Sequence, residues 1–228
     1  MPKVVDAQQP QSPRLPDGWD KLSSALLSDA LDAADCRGQA MSPRIRPLDE
    51  GRRLCGRARR GQYVEVDHVE AGENPHELEI AIVDHLNPGD VAVFAYGGSS
   101  IIAPRGSLLS TATRAHGAAV CVTDGFVRDT LHIRAMKLPL FHGGIAPLDS
   151  KGRGEINAID VPVICDGAKV TPGDLVFGDA DGVVVVPQAL EAEVLRIAFE
   201  RIGAEHRSMG ELKKGAYLRD VYAKYGVL

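Results

Sequence analysis

The run Asp90-Val91-Ala92-Val93-Phe94-Ala95-Tyr96 leaves the chain few folds to choose from. Asn87-Pro88-Gly89 stops whatever precedes it and Gly97-Gly98 follows it, so the run is too short for a buried helix and reads as a strand. Its residues are apolar almost without interruption, so both faces of that strand need cover. Helices supply such cover most simply, and the flanking sequence offers them. Asn74 to Leu86 places Leu78, Ala81, Ile82 and Leu86 on one helical stripe, and a short helical pattern follows Gly106. Ala118-Ala119-Val120-Cys121-Val122 then reads as a second buried strand. The expected class is α/β, with more strands than crossover helices, which disfavours a simple Rossmann arrangement.

The remaining elements are read in chain order. Residues 1–16 carry four prolines and no periodicity, so an N-terminal arm is expected, with a single α/β domain over 17–228. Leu22, Ala25, Leu26, Ala30 and Ala33 form one helical stripe that Gly38 ends. Pro43 to Gly61 is turn-rich and basic, and Gln62-Tyr63-Val64-Glu65-Val66 alternates like a strand with one wet face. A helix over about 130–137, a strand around 138–141 and a long glycine-containing connection to Gly154 come next. Strands are expected at 161–164, 175–177 and 182–187, then a helix over 188–202 with Leu190, Val194, Leu195, Ala198 and Ile202 inward. The tail Tyr217 to Tyr222 is apolar enough to dock, on this chain or on a neighbouring subunit. Asn87-Pro88-Gly89-Asp90 and Thr171-Pro172-Gly173-Asp174 each precede an apolar strand, which suggests one structural device used twice.

Whole-chain properties exclude several function classes. The formal net charge is -5, which argues against general binding of nucleic acid. No apolar run reaches the ~18 residues of a membrane span, and no signal peptide is read at the N-terminus, so a cytoplasmic location is expected. Cys36, Cys55, Cys121 and Cys165 are widely spaced, without C-x-x-C, so neither a zinc ribbon nor a disulfide framework is suggested.

The chemistry concentrates between Gly97 and Asp129. A glycine-rich loop opens a helix whose first-turn amides lack internal partners and favour an anion. Gly106 lets a ligand approach that backbone closely. The second buried strand then delivers Arg128, a planar fork suited to a carboxylate, and Asp129, an acceptor able to hold a hard cation directly or through waters.

At Asp124-Gly125-Phe126-Val127-Arg128-Asp129 the chain resembles the RraA-like family, which includes 4-hydroxy-4-methyl-2-oxoglutarate aldolase, with oxaloacetate decarboxylase activity, and the regulator of ribonuclease activity. The likeness runs over roughly residues 20 to 225 and includes Ser28 to Asp32, Pro88 to Val91, Gly106 to Thr113 and Pro172 to Val183. It implies a layered α/β sandwich like a swivelling domain, assembled as a homotrimer or hexamer with sites at subunit boundaries. It also implies that Arg128 binds a 2-oxo acid, that the amides of Leu108 and Leu109 beside Gly106 meet its pyruvyl part, and that Asp129 holds Mg2+ or Mn2+, largely through waters. The implied reaction is lyase chemistry through a pyruvate enolate. Glu205 is a candidate to reach a neighbour's site and help hold the metal, with Glu200 a competing alignment. Ser107 stands where the aldolases usually carry Asp or Glu, and Arg105-Gly106 replaces the frequent Trp-Gly.

Several residues have a plainer reading as well. Ser107 also suits the N-cap of its helix, and Asp129 that of the helix after it. Asp129, His132 and His142 could form a two-His-one-carboxylate iron site, although spacing is the sole argument. His116 suits terminal helix carbonyls, and Cys121 suits packing. Arg52, Arg53, Arg57, Arg59 and Arg60 read as a solvated or subunit-facing surface, with binding of a second substrate carboxylate as the alternative. Ser107 also keeps open a weakly catalytic or non-catalytic regulatory protein that acts through protein contacts.

Overall fold

The computed structural model describes residues 14–118 and 120–227. The β3 strand, Asp90–Ala95, lies at the centre of the fold with every residue buried, as its unbroken apolar run requires. It pairs in parallel with β2 (Leu54–Glu65) on one side and β4 (Val120–Val127) on the other. Beyond β4 lies β5 (Leu140–Ile145), parallel, and then the two-residue β1 (Arg46–Pro47), antiparallel. Beyond β2 lie β9 (Leu175–Asp179) and β10 (Gly182–Val186), both antiparallel, while β6 (Gly154–Ile159) pairs with the far half of β2. The strand order is β1-β5-β4-β3-β2-β9-β10.

The ends of this sheet nearly meet. The Met41 N–H donates to the Val183 carbonyl and the Val185 N–H to the Gln39 carbonyl, each at 2.9 Å, so residues 39–41 extend the β10 edge. A few residues later the same segment becomes β1 on the opposite edge. Joining both edges leaves little unpaired strand exposed. A small hairpin, β7 (Val163–Cys165) and β8 (Ala168–Val170), packs on the inner side.

Alternation along β3 separates two apolar layers. Val91, Val93 and Ala95 face the interior of the curled sheet with Ile45, Phe141, Cys165 and Val185. Ala92, Phe94 and Tyr96 face outward, under α2 (Glu77–Asp84), with Leu78, Ile82 and Leu86. A third layer packs α1 (Ser24–Ala33) and α5 (Glu191–Leu212) over β9 and β10 through Leu26, Leu27, Phe177, Val184, Val194 and Ala198. The layered α/β arrangement read from the sequence is present, with its sheet nearly closed.

Both Pro-Gly-Asp turns are built alike. Gly89 and Gly173 have φ of 86° and 81°, where glycine carries no Cβ penalty. In each, the aspartate N–H donates to the carbonyl of the first turn residue at 3.0 Å. In each, the aspartate Oδ2 also accepts from that residue's N–H, at 2.8 Å for Asn87 and 2.7 Å for Thr171. The two turns sit against the same stretch of β2, since the Arg57 N–H donates to the Gly89 carbonyl and the Gly173 N–H to the Ala58 carbonyl.

Four expectations are corrected. The second half of the basic stretch is not a surface: β2 begins at Leu54, and Arg57, Arg59 and Arg60 are 3%, 7% and 0% exposed, while Arg52 and Arg53 are half-buried. Each finds a distant partner, although Nε and one terminal nitrogen of Arg60 stay buried without a hydrogen bond among the described residues. Arg57 forks onto Glu191 at 2.5 and 2.9 Å, Arg59 forks onto Asp160 at 3.1 and 2.9 Å, and Arg60 donates to the carbonyls of Val161 and Val170. Ala25 and Ala33 face outward, and Leu27 and Leu31 take their place on the buried stripe of α1. The connection to Gly154 leads into a strand, β6, that the polar Glu155 and Asn157 obscure in the sequence. The C-terminal helix runs on to Leu212, and the tail forms α6 (Leu218–Tyr225), held to α5 of the same chain by Lys224 and Tyr225 on Glu211. Residues 1–13 of the expected arm lie outside the described residues, whereas the Arg14 carbonyl accepts from Arg57 at 2.8 Å.

Candidate functional site

The segment before α3 (Ser107–Ala115) runs beside the end of β4. The Arg128 N–H donates to the Arg105 carbonyl at 3.0 Å, and Arg105 bridges Val127 in parallel. This pairing brings the N-terminus of α3 against the residues that leave β4. Gly106 permits the approach: a Cβ there would lie 2.9 Å from Asp129 Oδ2 and 3.3 Å from Arg128 Nε. The close approach that this glycine allows is therefore made first by the protein's own side chains.

Asp129 has φ 57° and ψ 32°, a left-handed conformation that aspartate tolerates better than most residues. Its side chain does not cap α4 (Thr130–Ala135). Instead Oδ2 accepts from both the N–H and the hydroxyl of Ser107, each at 3.0 Å. Ser107 is thus the first helical residue and not the N-cap, and the capping carboxylate of α3 arrives from another element. Those two hydrogen bonds, the backbone one foremost, hold the Asp129 carboxyl below the usual carboxylate range. By position, the amides of Leu108 and Leu109 are the next in that turn without an intrahelical acceptor.

Arg128 does not pair with Asp129. It donates to the Leu148 carbonyl at 3.3 Å and lies 3.4 Å from Asp149, while its Nε is buried without a partner. The Arg128 and Asp149 side chains are 36% and 43% exposed, so their ion pair is weak and leaves much of the cationic charge available. Behind α3, Arg105 is buried over the Phe94 ring at 6.0 Å and donates to Thr113 Oγ1 at 2.5 Å.

Gly106, Ser107, Leu108, Leu109, Arg128 and Asp129 line one cleft of about 250 Å³. His76, Glu79 and Ile80, from the start of α2, and Asp149 line the same cleft. His76 and Glu79 are absent from the sequence reading. Their three-residue spacing at a helix start, which puts both on one face, is the signal that points to them. Glu205 lies elsewhere in the protomer, in a groove with Ser23, Leu26, Asp29 and Met209. Glu200 pairs with Arg196 on the surface of α5.

The iron alternative is not assembled. Among the described residues, no three of His, Cys, Asp and Glu are grouped to hold a metal ion, and His142 sits in β5 opposite Arg46 of β1. His142 is half-buried and burial pushes its imidazole down to about 4. His116 ends α3, 4.0 Å from Asp84. Cys121 is fully buried, which raises its thiol and suits packing. No helix among the described residues is long and apolar enough to cross a membrane.

Comparison with known proteins adds a family to this geometry. Residues 24–185 match the family described as RraA-like, Aldolase/RraA. A protein of Halalkalibacterium halodurans named "Putative 4-hydroxy-4-methyl-2-oxoglutarate aldolase" is 33% identical over 177 residues, 78% of each chain. A solved structure from Pseudomonas syringae, of an uncharacterized protein, superposes with a TM-score of 0.77 at 30% identity, covering 89% of this chain and 94% of that one. RraAS2 of Streptomyces coelicolor, described as an unusual member of the RNase ES inhibitor RraA protein family, superposes at 0.76 with 30% identity, covering 86% and 98%.

Proposed function

The chain belongs to the RraA-like family, and from that premise and the Arg128–Asp129 cleft we propose that it is a divalent-metal-dependent carbon–carbon lyase acting on a small 2-oxo acid. One observation carries this reading. A cationic fork, the open amides of a helix N-terminus and an ionised carboxylate share a cleft of about 250 Å³, a volume suited to a small organic acid. The relatives named as 4-hydroxy-4-methyl-2-oxoglutarate aldolases supply the substrate class, and oxaloacetate belongs with it because loss of its carbon dioxide leaves the same pyruvate enolate.

The donor set fits a hard cation. Asp129 is exposed, acceptor-only and held in its ionised form by Ser107, and Mg2+ or Mn2+ is commonly bound through one or two carboxylates with waters and substrate oxygens completing its shell. When bound, such an ion withdraws electrons from the 2-oxo group. The chain's own residues do the rest. Arg128 grips the carboxylate and neutralises charge that develops on the oxygen atoms. The Leu108 and Leu109 amides fix the orientation of the bound acid. Gly106 leaves room for the Asp129 and Arg128 side chains beside the start of α3.

In this reading the protein assembles as a homotrimer or hexamer. Leu108 on α3 and Leu131 on α4 are 85% and 81% exposed, apolar surface that a neighbouring subunit would cover, and Glu205 of α5 could then reach a neighbour's cleft. The test is pyruvate release from oxaloacetate and from 4-hydroxy-4-methyl-2-oxoglutarate, with Mg2+ or Mn2+ and with chelator. Metal-dependent turnover that Asp129→Ala and Arg128→Ala each reduce at least ~100-fold is expected. Full activity in Asp129→Ala rejects the mechanism. One observation favours a second reading: the Ser107 hydroxyl is occupied by Asp129 and adds no negative charge. Absence of turnover on both substrates would leave a regulatory protein that acts through protein contacts.

A further inference from the structure

The α2 residues that line the cleft carry a chain of hydrogen bonds that the proposed reaction has not yet used. The Tyr63 hydroxyl, on β2, donates to Glu79 Oε1 at 2.6 Å in the buried layer beneath α2. Tyr63 is itself fixed by stacking on Tyr96, with ring centroids 4.1 Å apart. The other Glu79 oxygen, Oε2, meets His76 Nδ1 at 3.0 Å. The His76 backbone is anchored too, since its N–H donates to Asn74 Oδ1 at 3.1 Å. Glu79 is 4% exposed, whereas the His76 side chain is 34% exposed and lines the cleft. With Nδ1 committed to a carboxylate it carries the ring proton, and Nε2, which makes no hydrogen bond among the described residues, is the nitrogen left for the cleft.

We propose that His76 is the proton-transfer residue of the cleft, with Glu79 and Tyr63 as the positioning residues that fix its tautomer and ring orientation. This inference rests on the lyase reading. Elimination within the cleft supports it. Arg128 stays cationic throughout. The Asp129 carboxyl is held below its usual range and its Oδ2 accepts from Ser107, whose hydroxyl is thereby committed. Glu79 is bonded at both oxygens and Asp149 lies against Arg128. Histidine is the side chain whose ordinary titration spans neutrality. The groups that face this imidazole are Glu79 on its own helix, Asp149 from the connection after β5, and Arg128 from the end of β4. Their net effect, led by the hydrogen bond to Glu79, raises it.

The step balances with one proton. In cleavage of a 4-hydroxy-2-oxo acid, neutral Nε2 takes the proton of the C4 hydroxyl. The O–H pair becomes the carbonyl of the departing fragment as C3–C4 breaks, and the C3–C4 pair remains on C3 as the enolate. The imidazolium returns the same proton to C3, giving the methyl group of pyruvate and neutral imidazole. In decarboxylation of oxaloacetate no base is needed. Imidazolium protonates C3 after carbon dioxide leaves, and solvent restores the proton.

The experiment follows exchange of the pyruvate methyl protons for deuterium by NMR, which reads proton transfer at C3 without any carbon–carbon cleavage. Wild-type protein with Mg2+ or Mn2+ is compared with His76→Asn, Glu79→Gln and Tyr63→Phe. His76→Asn is expected to slow exchange at least ~100-fold while pyruvate affinity, measured by calorimetry, stays within ~3-fold. Glu79→Gln is expected to move the pH profile of exchange to lower pH, because the carboxylate that raises His76 is gone. Exchange in His76→Asn within ~3-fold of wild type would overturn the relay and leave the lyase reading standing. Absence of both exchange and cleavage in wild type would overturn both. Histidine 15N titration of the unaltered protein needs no substitution: an Nδ1–H tautomer supports the assignment, and an Nε2–H tautomer at neutral pH overturns it.

Discussion

Ser107→Asp tests the geometry of the site most directly, because position 107 touches Asp129. The serine hydroxyl lies 3.0 Å from Asp129 Oδ2, so a carboxylate in its place puts two negative charges roughly 4 Å apart. Coulomb repulsion at that separation is ~1 kcal/mol in bulk water and ~4 at the effective dielectric of a protein surface. Asp129 is exposed, so a value near the lower end, about 1–2 kcal/mol, applies. Loss of a hydrogen bond to a charged acceptor adds about 1.5 kcal/mol. An acid in the first turn of α3 returns about 0.5. The net cost is about 2–3 kcal/mol in chelator, a fall in Tm of roughly 4–12 °C for a chain of this size. A divalent ion at a hundred times its Kd stabilises by ~2.7 kcal/mol, which offsets that cost. The assay is thermal denaturation of wild type and Ser107→Asp, each in chelator and in Mg2+ or Mn2+, with pyruvate release measured in parallel. A variant that melts with wild type in chelator and gains no more from metal would refute the placement of position 107 beside a cation-binding Asp129.

Gly106→Ala is expected to impair the site more than the fold, since the added Cβ would meet Asp129 Oδ2 at 2.9 Å and Arg128 Nε at 3.3 Å. Turnover should fall by an order of magnitude or more with at most about 1–2 kcal/mol lost in urea denaturation. Glu191→Ala should cost about 3 kcal/mol in the same measurement, because it removes both carboxylate oxygens that the Arg57 fork binds, and the Arg57 side chain is 4% exposed. His142 gives a pH dependence of stability. Its imidazole sits at about 4 in the folded protein against an ordinary 6.5, so the unfolded chain takes up a proton that the folded one refuses. Stability from this group is full above about pH 6.5 and falls as pH drops towards 4, by at most about 3 kcal/mol. His142→Gln should flatten that part of the profile in denaturation experiments run between pH 7 and 4.

Local pattern was enough for much of this protein. The unbroken apolar run at Asp90–Ala95 forced a strand covered on both faces, because no other short element buries every residue. The paired Pro-Gly-Asp turns were readable because glycine at positive φ and an aspartate that returns to cap the turn are local requirements. The juxtaposition of a helix start with Arg128 and Asp129 was legible for a similar reason, since one loop, one helix and one strand connect them.

What only the tertiary structure decided involves partners far apart in the chain. Arg57, Arg59 and Arg60 read as surface because a buried arginine needs compensation, and that comes from Glu191, Asp160 and the carbonyls of Val161 and Val170, about a hundred or more residues away. Ser107 read as its own helix cap, yet the cap comes from Asp129 across a strand pairing that no local pattern records. His76 and Glu79 share a helix face by spacing alone. Their meeting with Tyr63 behind and Arg128 in front required β2, α2 and β4 to be stacked first. Local sequence specifies an element through backbone geometry and apolar periodicity. Burial of charge and the convergence of a site are set by non-local contacts, which exist only once the chain has closed its sheet.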